Sequence, residues 1–547
     1  MLGVAGIATP AFAVDTPAAV PDAVLASCLN AQVDWFRPRT SPLTVEEIGT
    51  VTSIFCSGVK DLTGLEHATS LTLLNVSEGE ITSLAPLATL TALTTVDIYR
   101  NLYWSPPLPA ITDLTPLNGL SNLTRLNIGN APTTALPDVA AMPHLDTLIL
   151  RGSQIVDFTP LNAHPALTTL YLDGALVTDI APFGTLSHLT TLMVNDAPLS
   201  DISPLASLSA LSVLDLEGTQ VSDLSPLKLL SSLSELNLDG TQVSDLSPLA
   251  LLSNMTDLNL DGTRVSDLGP LAAMTGLTRL SFDDTEVSDL SPLAALTAIT
   301  ELSFDNTDVH DVQPLAGITG LLHLSFESTP VSSVDGLSAL RLEWVTGTGA
   351  ALSDISSIDE SAYVTLDEQR VTYGSVTVGE TVVNPLRGFG GEILAPSAES
   401  LAAAHATLSS DSRELVFSTP GTYTLSWLSE PYGHGGEFYQ VFSGTIEFSV
   451  AAPKPPTNPP KPPTDPPTTP PKPPTDPPKP PVEPPTPPTA PPVAPEPPAP
   501  PAPPAPPAAQ PAAVLAETGF DLAGWLIPAA LLVLGGGALL IRVRRRA

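Results

Sequence analysis

The chain has 547 residues, 57 acidic against 21 basic side chains, a formal net charge of −36, 62 prolines and two cysteines. This length accommodates roughly two to four domains and a large buried core, which excludes a small disulfide-built scaffold; the acidity excludes a nucleic-acid binder, because phosphate contacts need clustered Lys and Arg. Hydrophobic residues reach 43% and aromatics only 5%, so the folded part is built from aliphatic layers and the proline excess is local.

Residues 1–13 (MLGVAGIATPAFA) are small and apolar and end in Ala11-Phe12-Ala13, the small-x-small pattern of a signal-peptidase site, so a mature chain is expected from about Val14. No basic residues precede this run, and the alternative is an apolar N-terminal strand. Residues 14–60 read as a helical cap, with a short amphipathic helix over Val20 to Cys28, followed by Thr52 to Leu65 leading into the next segment. Both cysteines, Cys28 and Cys56, lie in this stretch. Two readings stay open: a disulfide closing a loop of about 28 residues, worth about 3–4 kcal/mol, or two buried thiols.

Residues 61–358 are a repeat. Prolines fall at 160, 182, 204, 226, 248, 270, 292 and 314, each 22 residues after the last, inside a unit of the form LsxLxLdgTxVsDLsPLaxL. A fixed period of 22 with this leucine spacing predicts a leucine-rich-repeat solenoid, of α/β class. In Leu236-Asn237-Leu238 alternate side chains face opposite ways on a short strand, so the leucines enter the core and Asn237 faces out. Ser247-Pro248 reads as the start of a short 3₁₀ or α turn, with serine as the cap and proline at the first helical position. Thr219, Thr241, Thr263, Thr285, Thr307 and Thr329 stand where a ladder of asparagines is common, and their hydroxyls can bond turn backbone. Phe282, Phe304 and Phe326 occupy an inward position and read as core. The spacing from Pro86 to Pro116 is 30, so one coil carries an eight-residue insertion that presents Tyr103 and Trp104 near Tyr99.

The position after each second leucine reads Asp173, Asn195, Glu217, Asp239, Asp261, Asp283, Asp305 and Glu327, a column of acids along the concave edge. The neighbouring column carries Tyr171, Met193, Asp215, Asn237, Asn259, Ser281, Ser303 and Ser325. Between residues 60 and 345 there are 33 acids and 8 bases, a local balance of −25. Such a face suits a cationic partner surface, or Ca²⁺ held by adjacent carboxylates; duplication of one acidic unit for solubility alone is the competing explanation. Tyr99, Tyr103, Trp104 and Tyr171 are the aromatic binding candidates. No metal-spaced Cys/His set, HExxH pair or nucleophile elbow is present, and the eight histidines are scattered, so neither an enzyme nor a resident cofactor is expected.

Residues 359–450 lose the period and become β-rich, as in GTYTLSW and FSGTIEF. The linker 451–514 contains a run from Pro453 to Pro511 with 33 prolines in 59 residues. It cannot pack a core, and as polyproline II it would reach roughly 180 Å. Residues 515–547 hold Leu515-Ala516-Glu517-Thr518-Gly519, an apolar run from Phe520 to Ile541 long enough to cross a bilayer, and four arginines.

That last order of pentapeptide, apolar helix and basic tail resembles the cell-wall sorting signal of Gram-positive surface proteins. The resemblance implies that a sortase attacks the carbonyl of Thr518, releases Gly519 onward and joins the chain to peptidoglycan. Ala516 stands where proline is usual, similar to the variant read by actinobacterial sortases. Upstream, the cap followed by DLTGLEHATSLTLL, the 22-residue repeats, and the β-rich NPLRGFGGEILAP segment resemble, over residues 20–450, the internalins. These are leucine-rich surface proteins of Listeria and relatives, in which an immunoglobulin-like β-sandwich adjoins the repeats. What the resemblance implies is an exported, wall-anchored adhesin that recognises a protein or glycan on another cell; a structural wall component is the alternative.

Overall fold

The computed structural model describes residues 16–99, 111–429 and 440–453. The leader, the insertion bearing Tyr103 and Trp104, most of the proline-rich linker and the whole of 515–547 lie outside the described residues. Among the described residues no helix is long and apolar enough to cross a membrane.

Fourteen short strands, from Ser53–Ser57 to Trp344–Thr346, pair in parallel in chain order, each joined to the next through a 3₁₀ turn or loop. One coil shows why. Leu233, Leu236, Leu238, Val243, Leu246, Leu249 and Leu252 are all buried, so apolar side chains on every stretch of the coil point into one shared interior. Each such burial contributes about 1.5–3 kcal/mol, but only against the leucines of adjacent coils. Backbone bonding locks the same register: Leu238 N–H donates to Asn259 O at 2.9 Å and Gly240 N–H to Asp261 O at 2.8 Å, a pattern repeated from coil to coil. Phe282, Phe304 and Phe326 are fully buried and stack at 5.8 and 6.1 Å, as expected of core residues.

The threonine ladder is inside. Thr241 Oγ1 donates to Leu238 O at 2.7 Å, and Thr219, Thr263, Thr285, Thr307 and Thr329 repeat this bond to the carbonyl three residues back. Between the acid column and each threonine the backbone turns left-handed. Gly218, Gly240 and Gly262 supply that φ freely, whereas Asp284, Asn306 and Ser328 adopt it at φ near 55°.

The turn caps differ from expectation. Leu246 is the N-cap, Ser247 the first and Pro248 the second residue of the 3₁₀ turn Ser247–Leu249, and the serine caps nothing. Asp245 does so instead: Oδ1 accepts from Ser247 N at 2.8 Å and Oδ2 from Ser247 Oγ at 2.9 Å. Asp223 and Asp289 repeat the arrangement, so the acid of each SDLSP motif is structural.

At the N-terminal end, helix α1 (Ala23–Val33) starts later and runs further than the sequence pattern suggests, because Asp22, after Pro21, is its N-cap. Asp22 Oδ1 accepts from Val24 and Leu25 N–H, and Oδ2 accepts from Lys60 and Asp61 N–H, which ties the helix to the first turn. Helix α2 (Val45–Gly49) opens with a capping box between Thr44 and Glu47. Leu25, Leu29 and Ile48 are fully buried against the first coil. Cys28 and Cys56 form a disulfide joining α1 to the first strand, with Cα atoms 6.2 Å apart.

The sheet does not stop at residue 358. Strand Tyr363–Thr377 pairs in parallel with Trp344–Thr346 and then with Gln440–Ala451, whose other side pairs antiparallel with Gly421–Leu428. Strands Thr381–Val383, Glu414–Phe417 and Ala406–Leu408 form a second, antiparallel sheet. Phe417 from this sheet meets Phe448 from the first at 5.0 Å, which closes a two-sheet core.

Two variants test this packing. Thr241→Val keeps the shape but leaves Leu238 O without its hydroxyl donor, and should cost about 1–2 kcal/mol in urea unfolding, with Thr241→Ser close to the parent. Ser328→Gly should instead gain up to about 1 kcal/mol by relieving the left-handed backbone.

Candidate functional site

Strand alternation sends every second side chain outward, and the constant register aligns these into three columns on the sheet's solvent face. The first, at strand starts, runs Val213, Glu235, Asp257, Arg279, Glu301, His323, Trp344 and Tyr363. The central column is Tyr171, Met193, Asp215, Asn237, Asn259, Ser281, Ser303 and Ser325. The third, just past the strand ends, is the acid column Asp173, Glu217, Asp239, Asp261, Asp283, Asp305 and Glu327. The first two columns line a groove of about 650 Å³ extending from Met193 to Thr346; the third does not reach it.

The acids of the third column are half-buried, and most of them bond to the solenoid itself. Asp261 Oδ1 accepts from Ser281 Oγ at 2.5 Å and from Asp283 N at 2.7 Å. Asp283 and Asp305 do the same for the coil after each. Earlier coils solve the same problem differently. Where the central column has asparagine, Asn237 Oδ1 and Asn259 Oδ1 accept the Asp239 and Asp261 N–H, and Asn237 Nδ2 donates to Glu217 Oε2. Serine is too short for that reach, so the previous coil's aspartate takes over.

Burial pushes the carboxyls of Asp173, Asp215, Glu217, Asp305 and Glu327 up from the usual range. Asp283 rises to about 6, through burial and then the nearby Asp261 charge. Among the described residues no three His, Cys, Asp or Glu side chains gather as a metal-holding group.

The aromatic candidates are not brought together. Tyr99 ends the strand Thr95–Tyr99, at the edge of the sheet face. Tyr171 lies further along in the central column, with the Arg151 guanidinium 5.0 Å from its ring centre and Arg151 itself paired to Asp173 at 2.6 Å. Tyr103 and Trp104 are outside the described residues.

The first column carries what the sequence pattern left unread. Trp344 is 45% exposed and stacks on Tyr363, 39% exposed, with ring centres 4.8 Å apart and planes 13° from parallel. His323 meets Trp344 edge-on at 6.4 Å and sits between Glu301 (3.8 Å) and Glu343 (3.9 Å). Arg279 is ion-paired with Asp257. The signal was available: the 22-residue register runs from Glu235 through His323, then slips to 21 at Trp344 and 19 at Tyr363, where period counting loses it.

No family model matches this chain, and no curated protein matches it. Solved structures do. An internalin from Listeria monocytogenes is 28% identical with a TM-score of 0.53, covering 59% of this chain and 94% of its own. A leucine-rich-repeat protein of Leptospira interrogans has a TM-score of 0.53 at 18% identity, covering 60% and 88%. The functional domain of a second Listeria monocytogenes internalin, described as including a cysteine ladder, is 18% identical with a TM-score of 0.47, covering 79% and 97%. The molecule is therefore a leucine-rich-repeat solenoid. Within that class its fold is internalin-like.

The column chemistry sets a pH dependence. Carboxyls raised by burial bind protons more readily folded than unfolded, so their stabilising contribution is present at low pH and is lost as pH rises through the folded values, near 6 for Asp283. The turn caps work oppositely. Ser203 and Ser247 backbone N–H bonds, then their hydroxyls, hold Asp201 and Asp245 below the usual range, so that contribution is lost only as pH falls below it. Thermal unfolding should therefore shift up by a few degrees from pH 7 to about 5 and fall again below about 4, and Asp283→Asn should flatten the first rise.

Proposed function

We propose that this chain is a surface protein of a Gram-positive bacterium that is anchored to the cell wall and presents the solenoid's sheet face to a protein or glycan partner on another cell. The observation carrying the binding part is the exposed Trp344–Tyr363 stack at one end of the groove: a soluble solenoid gains nothing from leaving two large rings half-open to water. The internalin likeness supports the same reading. In it, residues 1–13 direct export, α1 and α2 cap the first coil, and the two-sheet region after residue 359 serves as the immunoglobulin-like neighbour of the repeats. The proline-rich linker is the wall-crossing spacer. Thr518 is the residue acylated to peptidoglycan by sortase, with Leu515, Ala516 and Glu517 read by that enzyme and Gly519 beginning the released piece. No catalytic role is assigned to any residue.

Anchoring and binding are tested together by expressing the full chain in a sortase-competent actinobacterium. Wall digestion should release the chain carrying a peptidoglycan fragment at Thr518, and Thr518→Ala should shift it to the culture medium or membrane. Cells displaying the parent chain should adhere to a host-cell or glycan surface that cells lacking it do not hold. At equal display, Trp344→Ala should reduce that adhesion about tenfold or more. Adhesion indifferent to Trp344 and Tyr363 would favour a structural wall component without a ligand.

A further inference from the structure

Resting on the binding reading, we propose that the occupant of the groove is an extended polypeptide segment bearing arginine or lysine side chains, one of them seated against Trp344 and the exposed carboxylates of Glu301 and Glu343 that flank His323. Three features of the groove converge on that chemistry. Its dimensions fit a strand: eight coils from Met193 to Thr346, at about 4.8 Å per step, span roughly 34 Å, the length of about ten extended residues.

Its charge is one-sided. Arg279, the one Lys or Arg among the groove's lining residues, is already paired with Asp257. Glu235 and Glu301 in the wall are exposed, and Glu343 stands beside His323 at the same end. The wider repeat region adds its balance of 33 acids to 8 bases between residues 60 and 345. An anionic polymer meets repulsion along the whole groove, whereas a cationic one relieves it.

The third feature is the arrangement at the end. Glu301 and Glu343 flank His323 from the coils on either side, each within 4 Å of one of its ring nitrogens, and Trp344 lies edge-on to that ring. Two carboxylates beside an exposed indole offer a guanidinium or ammonium both ion pairing and an aromatic face. In the Asp261–Asp283–Asp305 column, by contrast, Oδ1 of each carboxylate is already engaged by the next coil.

The test uses the full chain and three labelled ten-residue peptides read by fluorescence anisotropy: alternating Arg-Ser, the same peptide with citrulline for arginine, and alternating Glu-Ser. The arginine peptide should bind at least tenfold more tightly than the citrulline peptide, with the glutamate peptide not binding. Trp344→Ala, and the pair Glu301→Gln with Glu343→Gln, should each lose about tenfold, while Trp344→Phe retains most of the affinity and shows that the ring is what matters. Glu286→Gln removes one exposed charge outside the groove and should change nothing. Equal binding of the citrulline peptide, or equal losses from Glu286→Gln and Trp344→Ala, would overturn the proposal, as would a neutral oligosaccharide competing at Trp344 with no response to salt. Should the arginine peptide fail to bind while Trp344→Ala still abolishes adhesion of displaying cells, the cationic partner falls and the binding face stands; loss of neither effect removes both.

Discussion

No coil of this solenoid can bury its leucines alone. Leu236 and Leu238 leave water only because Leu214 and Leu216 lie before them and Leu258 and Leu260 after, so each 22-residue unit is stable only in register with its neighbours. That dependence explains the devices at both ends. Asp22 and the Cys28–Cys56 bond hold α1 over the first coil, and the strand Tyr363–Thr377 continues the sheet past the last one. It also explains why polar groups inside the stack are so uniform: each buried threonine hydroxyl needs an acceptor, and the carbonyl three residues back, which also accepts the Thr219 and Thr241 backbone N–H, supplies it coil by coil.

The register has a second effect, on function. Because alternate strand residues point the same way in every coil, the solvent face is divided into columns with separate tasks. The acids past the strand ends are drawn into bonding between coils, and the burial that comes with this position raises their proton affinity against the effect of those bonds, Asp283 most. The strand-start column, free of that duty, carries the chemistry most open to a partner: Glu301, His323, Trp344 and Tyr363. Among the described residues of the repeats, acids thus include caps of 3₁₀ turns such as Asp245, rungs between coils such as Asp261, and exposed charge such as Glu235.

Much of this was legible in the sequence, and the exceptions have physical reasons. Eight evenly spaced prolines are enough to define the repeat, and the threonine ladder follows from the same alignment. The capping error arose because SDLSP contains two good capping residues, and only the backbone shows that Asp245 is in reach while Ser247 is already helical. The bonding role of the acid column between coils was not legible, because sequence gives spacing but not hydrogen-bond partners. Trp344 and Tyr363 were missed because the last coils shorten as the solenoid passes into the two-sheet region, so periodicity fails at the point where the face changes character. The expected boundary near residue 359 likewise falls where composition changes, although the sheet's hydrogen bonding continues.

Site-specific photo-crosslinking tests most directly whether the sheet face is the docking surface. Benzoylphenylalanine would be placed at position 344 on that face, and at position 251, an exposed leucine just past the turn Ser247–Leu249 on the other side of the coil. Irradiated while displaying cells adhere to their target surface, the chain should form an adduct from position 344 and none from position 251. An adduct from position 251 alone would contradict a partner held on the sheet.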